Sequence, residues 1–206
     1  MKRSAICPGC IFVWVVLVAS LAVGAEQAMP RLTLQQAAGQ GDVEQLNLHI
    51  ARGADVNKAD KDRMTPLSRA AMGGHLDATK VLVAAGADVN ASSFLGPPLV
   101  VAVSRMQPAI AEFLVSAGAE VNGKGRGGQT ALIAAVSAGQ QETVELLVSK
   151  GADVNLANDQ GMTPLRAASR FPAIADFLRE QGAQAPSSAY GDDPTGNGRD
   201  HDHSGR

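Results

Sequence analysis

The pentapeptide Gly53-Ala54-Asp55-Val56-Asn57 decides the architecture of this 206-residue chain, because it recurs. It returns at residues 86–90, as Gly118-Ala119-Glu120-Val121-Asn122, and at residues 151–155, and a degraded copy, Gly182-Ala183-Gln184, closes the series. The starts lie 33, 32, 33 and 31 residues apart. Self-similarity at such a period is the mark of stacked units rather than of one globular core. A second marker keeps step: Thr65-Pro66-Leu67, Pro97-Pro98-Leu99, Thr130-Ala131-Leu132 and Thr163-Pro164-Leu165.

One unit shows what the pattern builds. Thr65 is a good N-cap, since its hydroxyl can accept from a free backbone N–H. Pro66 suits the first helical position, where a missing N–H costs nothing. Leu67, Ala70 and Ala71 fall on one face at helical spacing, and Gly73-Gly74 ends the helix. His75 or Leu76 opens a second helix carrying Val81, Leu82 and Val83, which Gly86 ends before an extended turn. Neither helix can bury its apolar face alone, so the units must stack.

The sequence resembles the ankyrin-repeat family, whose motif joins Thr-Pro-Leu-His, Ala-Ala, Gly-His and a closing Gly-Ala-Asp-Val-Asn. The resemblance covers residues 31–185 and implies an all-α repeat solenoid of five units with capping repeats at both ends. It places those units near residues 31–57, 58–90, 91–122, 123–155 and 156–185, within a domain spanning 26–185. It also implies paired helices with β-hairpin or loop fingers at right angles, and a concave face that binds other proteins with the fingertips.

The departures carry information. The family histidine after Thr-Pro-Leu is Ser68, Val100, Ile133 and Arg166 here, so the polar network at the helix starts is altered. The loop between Asn90 and Pro98 is one residue shorter than that between Asn57 and Pro66, and it carries Phe94 and Leu95. Met106-Gln107 replaces Gly-His, and Pro108 follows near a helix start. The last unit is short and repeats Pro-Ala-Ile-Ala as Pro172-Ala173-Ile174-Ala175. His49 stands where Leu82, Leu114 and Leu147 stand in other units, and Arg179-Glu180 gives the closing unit a polar surface, as terminal repeats require.

Both ends of the chain differ from the repeats. Lys2 and Arg3 precede an uncharged apolar run at residues 11–23, and Val23-Gly24-Ala25 supplies the small-residue positions before Glu26. That is the layout of a secretory signal peptide over residues 1–25, cleaved between Ala25 and Glu26. An uncleaved inner-membrane anchor facing the periplasm is the competing reading, since residues 5–25 could just span a bilayer. Cleavage would remove Cys7 and Cys10, the only cysteines, and Trp14. Losing Lys2 and Arg3 from eighteen basic residues leaves sixteen against twenty acidic, a formal charge of -4 instead of -2. Residues 186–206, rich in glycine, serine and proline, read as a disordered tail.

Catalytic chemistry finds little support. His49 and His75 lie in different units at helix positions, and no serine has an evident His/Asp pairing. The recurring Asp55, Asp88, Glu120 and Asp153, each with its asparagine, read as shaping the loop by local hydrogen bonds. Gly125, Gly127 and Gly128 match no phosphate loop, and His201-Asp202-His203 lacks a further pinned ligand. The expectation is therefore a non-enzyme without cofactor or metal. The informative surface is what the motif leaves free: Lys61 and Arg63 on the first finger, Phe94 and Leu95 on the second, Lys124 and Arg126 on the third. Arg69, Met72, Val101, Ser104, Arg105, Ala134 and Ser137 are the corresponding positions on the inner helices. Phe94 could mark a partner site or fold back on the neighbouring finger. The expected function is a monomeric protein–protein interaction module in the periplasm, with neither nucleic acid nor small-molecule substrate. The membrane would be touched only through an uncut N-terminal segment. A chaperone, inhibitor or protective factor for an exported enzyme, including one against oxidative stress, and a membrane-tethered scaffold are the alternatives.

Overall fold

The computed structural model describes residues 29–184. The signal peptide with its Ala25–Glu26 cleavage site and the tail with its His201-Asp202-His203 lie outside the described residues. Among the described residues ten α-helices form five antiparallel pairs: α1 (Leu34–Gln40) with α2 (Val43–Ala51), α3 (Pro66–Gly73) with α4 (Leu76–Ala84), α5 (Pro98–Ser104) with α6 (Pro108–Ser116), α7 (Ala131–Ser137) with α8 (Gln141–Ser149), and α9 (Pro164–Ala167, prolonged by a short 3-10 turn) with α10 (Pro172–Glu180). The first helices of successive pairs stack on one another, and α2, α4, α6 and α8 form a second, looser row. Alanines set the tighter spacing. Ala37, Ala38, Ala70, Ala71, Ala102 and Ala135 are fully buried between the first helices. In the second helices of the last four repeats one leucine at the same place fills the core: Leu82, Leu114, Leu147 and Leu178 are all fully buried, each contributing about 1.5–3 kcal/mol through removal from water.

The helix signals act as their residue types dictate. Thr65, Thr130 and Thr163 each accept the N–H three residues on, at 3.1, 3.2 and 3.3 Å. Thr33 does the same for Gln36, whose side chain returns a bond to the Thr33 N–H. Pro97 offers α5 no such cap. At the altered histidine position the Thr65 hydroxyl donates to Ser68 Oγ at 3.1 Å, so a buried Thr–Ser pair serves there. Gly41 ends α1 with φ 72, and a Cβ there would come within 2.6 Å of the His75 ring. That ring reaches back to the Gly39 carbonyl at 3.0 Å. Two repeats on, the Gln140 amide donates to the Val103 carbonyl in the same way. Met106 occupies the left-handed position that glycine takes elsewhere, with φ 57.

The recurring asparagines reach further than the local loop bonds expected of them. Asn57 Nδ2 donates to the Gly86 carbonyl, and Asn57 Oδ1 accepts from the Asp88 N–H at 2.8 Å. Asn90 bridges in the same way to Gly118 and Glu120, Asn122 to Gly151 and Asp153, and Asn155 to Gly182 and Gln184. Each asparagine thus ties its repeat to the next. The local loop bonds come from the aspartates instead, since Asp55, Asp88 and Asp153 accept from the N–H two residues on. Glu120, one methylene longer, makes no such bond among the described residues.

The fingers are barer than the expected β-hairpins. Among the described residues there are no strands, only isolated bridges between Ser93 and Gly96 and between Lys124 and Thr130. The caps behave as expected. His49 turns to the Leu32 carbonyl at 2.7 Å and closes the first repeat. Arg179 pairs with Asp176 on the exposed face of α10.

Asn122→Ala removes both bonds of one interior rung and is expected to lower unfolding free energy by about 1–2 kcal/mol, which urea denaturation would read. No change would mean that water replaces the rung without cost.

Candidate functional site

The first finger is built around one carboxylate. Asp60 Oδ1 accepts from the N–H groups of Asp62 and Met64, both at 2.9 Å, folding residues 60–64 into a tight turn. Asn158 makes the same two bonds in the fourth finger. In that turn Gly161 has φ 70, and Arg63, at the matching place, has φ 56. An L side chain is thus held where glycine is favoured, at a cost of about 1–2 kcal/mol. The other oxygen, Asp60 Oδ2, faces α3. Arg69 donates to it through Nε at 2.8 Å and Nη2 at 2.5 Å, and Nη2 also reaches Asp62 at 2.7 Å. Burial alone would raise the Asp60 pKa. The Met64 N–H, the Arg69 guanidinium and the Asp62 N–H outweigh it and hold the carboxyl below its ordinary value.

This clasp forms part of the wall of a groove of about 820 Å³ between α1, the first finger and α3. Gln35, Gln36 and Gln40 form the α1 side, Lys58 and Lys61 the finger, and Arg69 and Met72 the α3 side. Gln35 is itself tied to the Lys58 carbonyl at 2.9 Å. A concave polar wall with one thioether and fixed side chains suits a peptide or a protein surface; no nucleophile stands beside a general base in it.

The remaining fingers are tied to one another. Arg126 N–H donates to the Leu95 carbonyl at 3.3 Å, joining the second and third fingers. Asp159 N–H donates to the Gly127 carbonyl at 3.1 Å, and Lys124 Nζ to the Ala157 carbonyl at 3.3 Å, joining the third and fourth. Phe94 lies against the neighbouring finger and is nonetheless exposed. The Arg126 guanidinium covers it, 5.0 Å from the ring centroid, yet the side chain remains 53% exposed.

The anticipated surface residues therefore divide. Lys61, Arg69 and Met72 meet at the groove. Phe94, Leu95, Lys124 and Arg126 form a cluster across the second and third fingers. Arg63 is exposed on its turn, and Arg105 is exposed at the end of α5, in neither cluster. Two refinements follow. Arg69 is no free cation, because the finger clasp occupies most of its donors. Val101 and Ala134, expected on the accessible inner face, are buried, whereas Ser104 and Ser137 at the helix ends stand exposed. The glutamines of α1 are not among the expected surface residues because the first unit reads as a cap. Aligning Leu34-Gln35-Gln36-Ala37-Ala38 with Leu67-Ser68-Arg69-Ala70-Ala71 would have placed Gln36 beside the Arg69 position.

Two outcomes test the finger. Because the folded Asp60 pKa is depressed, its ion pair stabilises the protein above the ordinary carboxylate pKa near 3.8 and is lost as pH falls through the lower folded value. Asp60→Asn, which keeps the turn, should cost about 0.5–1 kcal/mol near neutral pH, with the difference from wild type vanishing in acid titration below that pKa. Arg63→Gly should raise stability by up to about 1 kcal/mol by relieving the left-handed side chain; a thermal melt would show it.

The comparisons with known proteins agree with this architecture. A family model described as ankyrin repeats in three copies matches residues 34–125 and 118–188. An ankyrin repeat and KH domain-containing protein from Caenorhabditis elegans is 33% identical over 102 residues, covering 48% of this chain and 4% of that protein. Protein phosphatase 1 regulatory subunit 27 from Mus musculus is 36% identical over 83 residues, covering 39% of this chain and 54% of its own length. A palmitoyltransferase from Debaryomyces hansenii is 41% identical over 66 residues, 32% of this chain and 8% of the enzyme. The chain thus spans well under two thirds of the length of each of these relatives, and what it shares with them is the repeat. Repeat register, stacked helix pairs and family match lead to one conclusion: this chain belongs to the ankyrin-repeat family, whose repeats generally bind other proteins.

Proposed function

We propose that the protein is a non-enzymatic binding module, exported by its N-terminal signal, that holds a partner protein against the first-finger groove and the finger edge. The groove carries this reading. Its walls belong to α1, α3 and a finger locked to α3 by the Arg69 clasp, so little ordering entropy remains to be lost on binding. Arg63 and Arg126, exposed on the first and third fingers, are of a residue type in which binding energy concentrates. The export half rests on the order of charge, apolar run and small residues ahead of Glu26, which makes a periplasmic partner the expected one.

Crosslinking and mass spectrometry in the native compartment test both halves. The expected result is a mature chain beginning at Glu26, crosslinked to a specific protein through Lys58 or Lys61. That partner should be lost in Met72→Arg and Lys61→Glu variants that melt like wild type. Recovery unaffected by both substitutions would remove the groove, and a chain retaining Met1 would remove the cleavage.

A further inference from the structure

The finger edge carries a charge pattern unlike that of the whole chain. Lys58, Lys61 and Arg63 stand exposed on the first finger, and Lys124 and Arg126 on the third. Of the carboxylates on the same finger turns, Asp60 and Asp62 share the single charge of Arg69 and Asp159 stands on the fourth, so these five exposed cations still outnumber the two negative charges left over. The chain as a whole has a formal charge of -2, so this local excess of cations is a segregation of charge and not a reflection of composition. Phe94 sits between the two basic fingers. Arg126 rests on its ring and makes no ion pair and no side-chain hydrogen bond among the described residues. A guanidinium stacked on a ring is oriented and partly desolvated while its N–H fork stays unspent, which suits it to a carboxylate. The platform is rigid. The Arg126 N–H is bonded to the Leu95 carbonyl, and a Cβ on Gly96 would fall 2.4 Å from Gly125 Cα, so the two fingers touch backbone to backbone.

We infer that the finger edge is a receptor for an extended acidic segment of the partner protein. This rests on the reading of the protein as a binding module and names the chemistry of what it binds. One carboxylate forks onto Arg126, an apolar side chain lies on the open part of Phe94, and a second acidic group sits between Lys61 and Arg63. The first and third fingers are two repeats apart, about 20 Å if packed helices lie about 8–10 Å from one another. An extended chain advances about 3.3 Å per residue, which puts the two acidic groups about six residues apart. Single-stranded nucleic acid fits less well. It favours a series of aromatic rings to stack successive bases, and this edge has one.

The test is fluorescence anisotropy on the full chain at low salt. The probe is a labelled twelve-residue peptide with two glutamate pairs six residues apart and a leucine between them. Saturable binding that weakens at least ten-fold at high salt is expected, since exposed charge pairs are screened. Arg126→Ala and Phe94→Ala should each weaken binding about ten-fold, and Arg126→Lys, which keeps the charge and loses the fork, several-fold. Lys150→Ala, on an exposed site of another face, should leave it unchanged. Absence of binding, equal affinity in Arg126→Ala, or tighter binding of an oligothymidine than of the peptide would each overturn the inference. So would equal binding of a peptide with its glutamate pairs three residues apart. If the peptide fails while Met72→Arg still releases a crosslinked native partner, only the acidic specificity falls. If the partner is indifferent to every finger and groove variant, the binding reading itself falls.

Discussion

The asparagine rung is the constraint on which the rest of the structure depends. Each of Asn57, Asn90, Asn122 and Asn155 satisfies a carbonyl and an N–H of the following repeat. These backbone groups belong to the turn after a helix, where no helical partner exists. One side chain per repeat therefore fixes where the next helix pair ends, and the apolar contacts share that register. The period of 31–33 residues is what keeps donor and acceptor opposite each other. The same rung forms although the repeats differ in length by up to two residues, so the difference is absorbed away from it.

Once register is fixed, each finger is free to vary, and the chain varies them unevenly. The first is folded by Asp60 and fastened to α3 by Arg69. The second and third fasten to each other through backbone and a cation over a ring. Both arrangements spend polar groups on holding a surface still. The consequence is a concave wall and a fingertip edge presented as fixed shapes, with their cations near one another while the chain as a whole is acidic.

Much of this was legible in the residues. The Gly-Ala-Asp-Val-Asn period, the threonine caps and the buried alanines announce stacked helix pairs, because each follows from local chemistry that a one-dimensional pattern can express. What was hidden involves residues far apart in sequence. Asn57 meets Asp88 across 31 positions, so its role looks local until the stack is seen. Arg69 reads as a free inner-face cation, because nothing in Asp60-Lys61-Asp62 shows that the finger folds back onto it. Val101 and Ala134 read as accessible for the converse reason, since helical phase alone does not say which neighbours cover a face. Gln35 and Gln36 were hidden by the opposite habit, which treats a terminal repeat as packing only.

The third repeat combines several local weaknesses. Its helix α5 has no side-chain cap at Pro97, its valine-rich sequence propagates a helix poorly, and Met106 closes it in a left-handed conformation. Its six residues Pro98, Leu99, Val100, Val101, Ala102 and Val103 are nonetheless buried. A unit that gains little from its own backbone and much from its two neighbours raises cooperativity, because unfolding it alone would sacrifice both interfaces at once. The stack therefore loses its structure as one body: the centre that could have divided it into halves is the part that obliges both ends to melt together.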